Sequence, residues 1–326
     1  MALNVARILY QGQPRWAVVE GAQLKLLPST AATTGEFIRQ ADVAALRASL
    51  GEWIDAAAAK FLSPVTQNQQ FICQGANYRQ HMIESGVDPD VKKFNMIFTK
   101  APTCIAPADT DIVRPAHVRL LDYEVELGLI LRRDVTGAIE VTASNLGDLV
   151  AALVIVNDVS ARDIQIPQMQ FYKGKSYRTF GPVGPWLCLL EPDDLSRIAE
   201  LELTLSVNGA TRQRDKTANL VYGPAETLTE LSGLQDLFAG DLIATGTPAG
   251  CALSVPSPRQ QKLFALLPER MKWRLFMKRQ AGRPYLQPGD LVEARIASPD
   301  GKIDLGVQRN KVLAGREARL ASAVAA

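Results

Sequence analysis

Short apolar segments separated by Gly and Pro turns dominate the chain from about residue 71 onward, and they restrict its fold more than any other feature. The strand-like segments are FICQGAN, IFTKAP, EVELGLIL, LVIVNDVS, VGPWLCLL, ELTLSVNG, DLIATGTP, DLVEARI and KIDLGVQRNKV. Helical patterns intervene only around residues 78–84, 143–151 and 224–233. Because a doubly wound parallel sheet needs a helix at each crossover, the pattern predicts an α+β fold, a mixed β-roll with flanking helices.

The first 68 residues have a different pattern. Residues 1–27 alternate like a small β-meander, a polar and Ala-rich helical stretch follows over about residues 34–61, and Pro64 marks a break. We therefore predict a small N-terminal α/β domain over residues 1–68. The catalytic domain is predicted to span residues 69–326, with a basic helical insert at about residues 252–285.

Composition favours a small-molecule partner. The chain has 326 residues, 47% of them hydrophobic and 21% charged, with a net charge of +2, which is no electrostatic footprint for nucleic acid. It shows no apolar run near the roughly 20 residues needed to span a bilayer and no signal-peptide pattern, so the cytoplasm is the expected location. The four cysteines lack metal-site spacing and read as reduced core thiols: Cys73, Cys104, Cys188 and Cys251.

The insert carries eight basic residues between positions 259 and 283, against the single acid Glu269. Pro268 predicts the start of a second short helix. Four apolar residues follow helical spacing and predict one packed face: Phe264, Leu267, Met271 and Leu275. A basic amphipathic helix can lie on an anionic membrane, but packing over the core, an active-site mouth or a dimer partner is the favoured interpretation.

The segment LLDYEVELGLIL alternates apolar residues with Asp122, Glu124 and Glu126, which predicts a half-buried strand. Alternate side chains on a strand stand about 6.5 Å apart on one face. Such a row of carboxylates is either a solvated sheet face or a site where a hard divalent cation cancels the repulsion.

A second apolar strand, LVIVNDVSARDIQ, ends in a cluster of polar groups that includes Asn157, Asp158, Arg162 and Gln165. Asp158 could supply a third carboxylate. Three acidic oxygen donors without a nearby His or Cys suit Mg²⁺, with Mn²⁺ or Ca²⁺ as alternatives, rather than Zn²⁺.

Upstream, GANYRQHMIESG places His81 three residues before Glu84, so on a helical turn both share a face. A His held by a carboxylate is a general-base arrangement, although a solvated surface pair has the same spacing. The other histidine, His117, has no acidic partner at helical spacing and is expected to be structural. Tyr78 and Lys173 are pocket candidates, with a packed tyrosine and a solvated lysine as the alternatives.

Five ordered segments, NYRQHMIESG, DYEVELGLIL, NDVSARDIQ, FYKGKSYRTFGPVGPW and GDLIATGTPAG, resemble the fumarylacetoacetate hydrolase superfamily over about residues 71–312. The resemblance implies a mixed β-roll, a homodimer, and Mg²⁺ or a similar ion acting on acylpyruvate or 2-keto acid substrates. Residue by residue, it implies metal ligands at Glu124, Glu126 and Asp158, a water-activating dyad of His81 and Glu84, and charge stabilisation by Lys175. It implies substrate contacts from Arg162, Gln165 and Thr247, to which Tyr78 is added, and it leaves Asp122 as a supporting or solvated group.

Three functions remain open at this stage. The first is a metal-dependent hydrolase that cleaves a C–C bond of a β-diketone or acylpyruvate: His81 activates water, and the enolate leaving group is held by the metal. The second is a 2-keto acid decarboxylase or enol–keto isomerase that uses the same metal site. The third is a non-catalytic binding protein whose basic segment docks on lipid or an acidic partner. The long connection from residue 251 to residue 286 departs from the family pattern and bears on substrate scope.

Overall fold

The structure is a computed structural model that describes residues 2–84, 86, 88–91, 94–255, 260 and 267–315. Its helices are α1 Thr34–Gln40, α2 Val43–Ala48, α3 Arg79–Glu84, α4 Arg162–Gln168, α5 Phe171–Lys175, α6 Pro224–Leu234 and α7 Glu269–Gln280. Short 3-10 turns lie at Ala56–Ala58, Pro102–Cys104, Leu146–Asp148, Pro192–Glu200 and Thr217–Asn219.

The strands are β1 Leu3–Tyr10, β2 Gln13–Glu20, β3 Gln23–Leu26, β4 Trp53–Asp55, β5 Lys60–Leu62, β6 Phe71–Gly75, β7 Met96–Thr99, β8 Ile105–Ala106, β9 Ile112–Arg114, β10 Leu121–Asp122, β11 Val125–Leu131, β12 Val150–Asn157, β13 Ser160–Ala161, β14 Gly181–Pro182, β15 Leu187–Leu189, β16 Glu202–Val207, β17 Ala210–Lys216, β18 Leu242–Ala244, β19 Leu291–Ala297 and β20 Asp304–Ala314. Eleven of them form one sheet in the order β4-β3-β2-β1-β15-β12-β11-β18-β6-β7, with β5 beside β1. A second sheet has the order β17-β16-β19-β20-β9. The pairs β18–β6, β20–β9 and β14–β8 are parallel and the others antiparallel, so the predicted mixed α+β fold is confirmed.

The N-terminal segment matches its prediction only in part. The meander is present as β1 to β3. The prediction of a helical stretch over residues 34–61 is wrong after the end of α2. Residues there form β4 and β5, which pair with β3 and β1, so strand pairing outweighs the helix propensity of the alanines. Because β1 also pairs with β15, the N-terminal strands continue the large sheet. The division at residue 68 stays a prediction.

The helix predictions have mixed outcomes elsewhere. α3 and α6 lie where the pattern places them, whereas residues 143–151 hold only a 3-10 turn and the start of β12. Two short helices that the pattern did not indicate, α4 and α5, follow the end of β12. They matter because they carry three of the predicted site residues.

The strand β11 lies in the middle of the large sheet with both faces buried, which corrects the expectation of one half-buried strand. Its odd-numbered side chains pack toward the second sheet, in a core that includes Leu127, Leu203 and Ile296. The opposite face carries Glu126 and Ile130. Ile130 packs there in a second core cluster that also contains side chains of the paired strand β12. A break at residues 123–124 separates β10 from β11, so the acidic segment is not one continuous strand.

The four cysteines are free and buried, as expected for core thiols. Within the part of the chain described here, every helix is too short or too polar to cross a membrane.

The described part of the insert contains α7, which follows Pro268 as predicted. Its packed face differs from the predicted one, because Phe276 is buried in the main core while Met271 is 47% exposed. Trp273 and Met277 complete the contact, and Leu275 is only half-buried. Phe264 lies outside the described residues.

Candidate metal centre and active site

Three carboxylates converge where β11 and β12 meet. Glu124 precedes β11, Glu126 lies within it, and Asp158 follows the last residue of β12. Their ligand atoms all lie within 4.8 Å of one another, and all three residues are buried. The antiparallel register, which pairs Val125 with Asn157, brings the two strand ends together. The sequence alone leaves open whether these acids are solvated. In the structure they are buried.

Buried cations compensate this charge. Lys175 Nζ donates to Glu124 Oε2 and Asp158 Oδ2, both at 2.5 Å. Lys100 Nζ donates to Asp158 Oδ1 at 2.5 Å and to the Phe180 carbonyl at 2.7 Å. The side chains of both lysines are almost fully buried. Breaking such a pair by removing one partner costs about 3–5 kcal/mol, because the other charge stays buried.

The guanidinium of Arg162, the first residue of α4, contacts the cluster from the other side. Its Nη2 donates to Glu124 Oε1, its Nε to Asp122 Oδ2 at 2.9 Å, and its Nη1 to Gln165 Oε1 at 2.8 Å. Burial disfavours the ionised form of Glu124, but Arg162 and Lys175 outweigh burial and lower its pKa below the usual value. Glu124 is thus an anion with two cationic partners.

Glu126 is in the opposite situation. Burial, Asp158 and Glu124 together raise the pKa of Glu126 well above its ordinary value, and only Lys175 and the Gly246 amide act against them. That amide donates to Glu126 Oε2 at 2.9 Å. Gly246 has φ +88°, a conformation that favours glycine, and this turn aims its N–H at the carboxylate. Glu126 is therefore the carboxylate whose charge is least compensated by the protein itself.

The three carboxylates fit a divalent cation. Oxygen ligands at about 2.0–2.6 Å from one ion lie at most about 5 Å apart, and the observed spread of 4.8 Å is within that limit. The donors are all hard oxygens, the choice of Mg²⁺, Mn²⁺ or Ca²⁺. Glu124, Glu126 and Asp158 would hold the ion, which would cancel the charge that keeps the pKa of Glu126 high. The fit supports the predicted site without selecting Mg²⁺ among these ions.

His81 faces this cluster from α3. Burial lowers the pKa of His81 from 6.5, Glu124 opposes the shift and Arg162 adds to it, so the neutral imidazole is favoured near pH 7. Glu84 also favours the charged imidazole, but its own side chain is exposed and accepts from Gln80 Nε2 at 3.5 Å. The His81–Glu84 dyad stays a prediction.

The predicted substrate residues occupy different settings. Gln165 lies three residues after Arg162 on α4 and accepts a hydrogen bond from its Nη1 at 2.8 Å. Thr247 is buried, donates to the Val125 carbonyl at 3.0 Å and accepts from Gln213, so its hydroxyl fixes the loop after β18. Tyr78 is fully buried, and its hydroxyl has no hydrogen-bond partner among the described residues. Their substrate roles stay predictions.

The pocket candidate Lys173 and the other histidine, His117, both lie at the surface. Lys173 is exposed and donates to Gln168 Oε1 at 3.3 Å, which agrees with a solvated lysine. His117 is also exposed, and its Nε2 lies 2.9 Å from the Tyr177 hydroxyl. His117 thus serves as a natural control for His81.

Sequence reasoning missed Lys100 and underrated Asp122. Lys100 directly follows β7, so a charged residue at the end of an apolar strand was the available signal, the same one that identified Asp158. Asp122 is completely buried and accepts from Arg162 and from three backbone amides. Gln213, on β17, joins the Val125 amide to Thr247 and gave no sequence signal, because β17 itself was not predicted.

Comparisons with known proteins identify the family and agree with the fold. The family model described as fumarylacetoacetate (FAA) hydrolase C-terminal matches residues 70–313. Oxaloacetate tautomerase YisK of Bacillus subtilis (strain 168) is 34% identical over 204 residues, which are 61% of this chain and 65% of that protein. The match therefore spans slightly less than two thirds of that relative.

Among solved structures, fumarylacetoacetate hydrolase from psychrophilic Exiguobacterium antarcticum has a TM-score of 0.73 and 28% identity, covering 96% of this chain and 100% of that chain. Maleylpyruvate hydrolase from Sphingobium sp. SYK-6, in complex with manganese(II) ion and pyruvate, has a TM-score of 0.68 over the same shares. At 22% identity, this similarity is evidence for a shared fold only.

Proposed function

The chain belongs to the fumarylacetoacetate hydrolase family, and we propose that it is a divalent-metal-dependent hydrolase that cleaves a carbon–carbon bond of a β-diketone or acylpyruvate. The observation that best supports this proposal is the convergence of three buried carboxylates with Lys175 and Arg162, with His81 close enough for Glu124 and Arg162 to shift its pKa. It combines a cation site with a base, and hydrolysis uses both.

In this mechanism a bound divalent cation supplies Lewis-acid polarisation of the substrate's keto oxygen. His81 Nδ1 or Nε2 accepts a proton from water, and the hydroxide forms a bond to the distal carbonyl carbon. As the tetrahedral adduct collapses and its C=O bond re-forms, the adjacent C–C bond breaks, and the electron pair becomes an enolate that takes the proton back from His81 to give the keto acid. Lys175 provides a buried positive charge near the oxygen on which negative charge develops, and burial makes that interaction stronger than in water.

Enol–keto tautomerisation of a 2-keto acid is the second candidate. The 34% identity to an oxaloacetate tautomerase over 204 residues favours it. It requires the same enolate and a base, but no attack by water. Decarboxylation would use that enolate too, with loss of carbon dioxide in place of hydrolysis.

One experiment separates these reactions. The protein is stripped with a chelator, supplied with Mg²⁺, Mn²⁺ or Ca²⁺, and incubated in ¹⁸O-labelled water with an acylpyruvate or with enol oxaloacetate. We expect metal-restored loss of the acylpyruvate ultraviolet absorbance, pyruvate as a product, and one ¹⁸O in the carboxylic acid released from the acyl half. His81→Ala should reduce this rate by about 100-fold or more, the range of general-base catalysis, and His117→Ala should leave it unchanged.

The alternative outcomes assign the other functions. Loss of enol absorbance from oxaloacetate without cleavage of the acylpyruvate would support the tautomerase and overturn the hydrolase. Release of carbon dioxide from oxaloacetate would support the decarboxylase. We include in the proposal Mg²⁺ as the ion used, a homodimer as the assembly and the cytoplasm as the location.

A further inference from the structure

Arg162 is held at three points, and two of them lie outside the proposed metal ligands. Its Nη2 and Nη1 contact Glu124 and Gln165, whereas its Nε donates to Asp122 Oδ2 at 2.9 Å. All four residues are buried. A planar guanidinium with three fixed contacts has one orientation, so a change at Asp122 would reorient the group that touches Glu124.

Asp122 has no oxygen lone pair left for a cation. Its Oδ1 accepts from the Ala252 amide at 2.8 Å and from the Tyr123 amide at 3.0 Å, and its Oδ2 accepts from the Leu253 amide at 3.0 Å and from Arg162. A carboxylate offers about four lone-pair sites, and all four are used. Asp122 is therefore a junction between Arg162 and the first residues of the insert.

The helix α7 fixes those first residues. Gln280, its last residue, brackets Ser254: the Ser254 amide donates to Gln280 Oε1 at 3.1 Å, and Gln280 Nε2 donates to the Ser254 carbonyl at 2.8 Å. Tyr285 Oη donates to the same Gln280 oxygen at 2.8 Å, and Arg283 Nε donates to the Ala252 carbonyl at 3.0 Å. Gln280 is 1% exposed, so water does not replace these bonds.

We infer that the insert positions Arg162 in the candidate site, with Gln280 and Asp122 as the positioning residues. The series of hydrogen bonds leads from Gln280 at the end of α7 to residues 252–254, and from there through Asp122 to Arg162 and Glu124. The insert thereby sets the geometry of the site without supplying a group that reacts. This inference deepens the proposed function and depends on it only for its kinetic readout.

The main test measures Arg162 without substrate or metal. Hydrogen exchange of its Nε–H is followed by NMR in protein labelled with [¹⁵N]arginine, and the resonance is assigned by its loss in Arg162→Lys. We expect Gln280→Ala to accelerate this exchange at least tenfold. Arg274→Ala, on the exposed face of the same helix, should leave it unchanged. Equal exchange in wild type and Gln280→Ala would overturn the inference.

A kinetic cycle distinguishes positioning from general loosening. Gln280→Ala should lower kcat/KM about tenfold in the wild-type background, the lower end of the effect of losing a supporting contact, and less than twofold in the Arg162→Lys background. Equal losses in both backgrounds would mean that Gln280 acts elsewhere and would contradict the inference. If no keto acid is turned over, the proposed function fails, and the exchange measurement still decides this point.

A milder variant covers the case in which Gln280→Ala does not fold. Tyr285→Phe removes only the hydroxyl that donates to Gln280 Oε1. It should accelerate Arg162 Nε–H exchange in the same direction by a smaller factor, about two- to fivefold, whereas an unchanged rate would contradict the inference.

Discussion

Glu126 is expected to destabilise the metal-free protein, so Glu126→Gln should make it more stable. Burial disfavours the charge of Glu126 most, and because two carboxylates repel it while one lysine attracts it, one uncompensated repulsion adds to the cost of burial. At 4.8 Å and an effective dielectric constant of about 20, that repulsion is worth about 3 kcal/mol. Because Glu126 escapes part of it by keeping a proton, we expect a gain of about 1–3 kcal/mol. A glutamine oxygen can still accept from the Gly246 amide.

The pH dependence of this gain follows from linkage. The pKa of Glu126 is raised in the folded protein above 4.5, its value in an unfolded chain. Below pH 4.5 both states are protonated and the variant has no advantage. As the pH rises toward the folded-state pKa, the unfolded state ionises first and wild type loses stability. The advantage of Glu126→Gln should therefore appear above pH 4.5 and be largest near neutral pH and above.

The assay is urea unfolding in chelator and again with Mn²⁺, with Glu230→Gln on the exposed face of α6 as the matched control. In chelator the variant should unfold at higher urea than wild type. Mn²⁺ at about 100 times its dissociation constant should add about 2.7 kcal/mol to wild type and much less to the variant, which offsets or reverses the variant's advantage. A variant that is less stable than wild type in chelator would refute the reasoning.

Three further outcomes follow from the same structure. Lys100→Met should lower the free energy of unfolding, measured in urea, by about 3–5 kcal/mol, because Asp158 then loses a buried partner. The exposed control Lys173→Met should change it by less than about 0.5 kcal/mol. Equal effects of the two substitutions would contradict the buried pair. The acidic limb of the kcat/KM profile should have its midpoint below pH 6.5, since burial lowers the pKa of His81 and the base must be neutral; a midpoint above 6.5 would exclude His81 as that base. Phe276→Ala should cost about 3–5 kcal/mol by thermal or urea unfolding and Met271→Ala little, and the reverse order would mean that α7 packs through its predicted face.

The sequence predicted the parts of the fold that depend on local pattern. Strand periodicity predicted β11 and β12, alternation placed Glu124 and Glu126 on one face, and the polar end of the second strand indicated Asp158, whereas the ligand roles followed from the family resemblance. The antiparallel register that brings the start of β11 beside the end of β12 is a tertiary property, which the alternation along each strand does not reveal.

The failures involve interactions between residues distant in sequence. The alanines of residues 56–59 carry a helix signal, yet β5 is fixed by pairing with β1. Asp122 was expected to be a supporting or solvated group, and the sequence did not reveal its partners because the amides of residues 252 and 253 lie about 130 residues away. α7 packs through Phe276 because the core it meets is built from both sheets, which helical spacing alone does not reveal.

The most direct test of the account is the location of Mn²⁺ in crystals of the protein, from an anomalous difference map. We expect one peak per chain, within about 2.0–2.6 Å of an oxygen from each of Glu124, Glu126 and Asp158. Asp122 should keep its contact with Arg162 and stay outside the coordination sphere. A map without a peak at this cluster, in protein that binds Mn²⁺ in solution, would contradict the central claim.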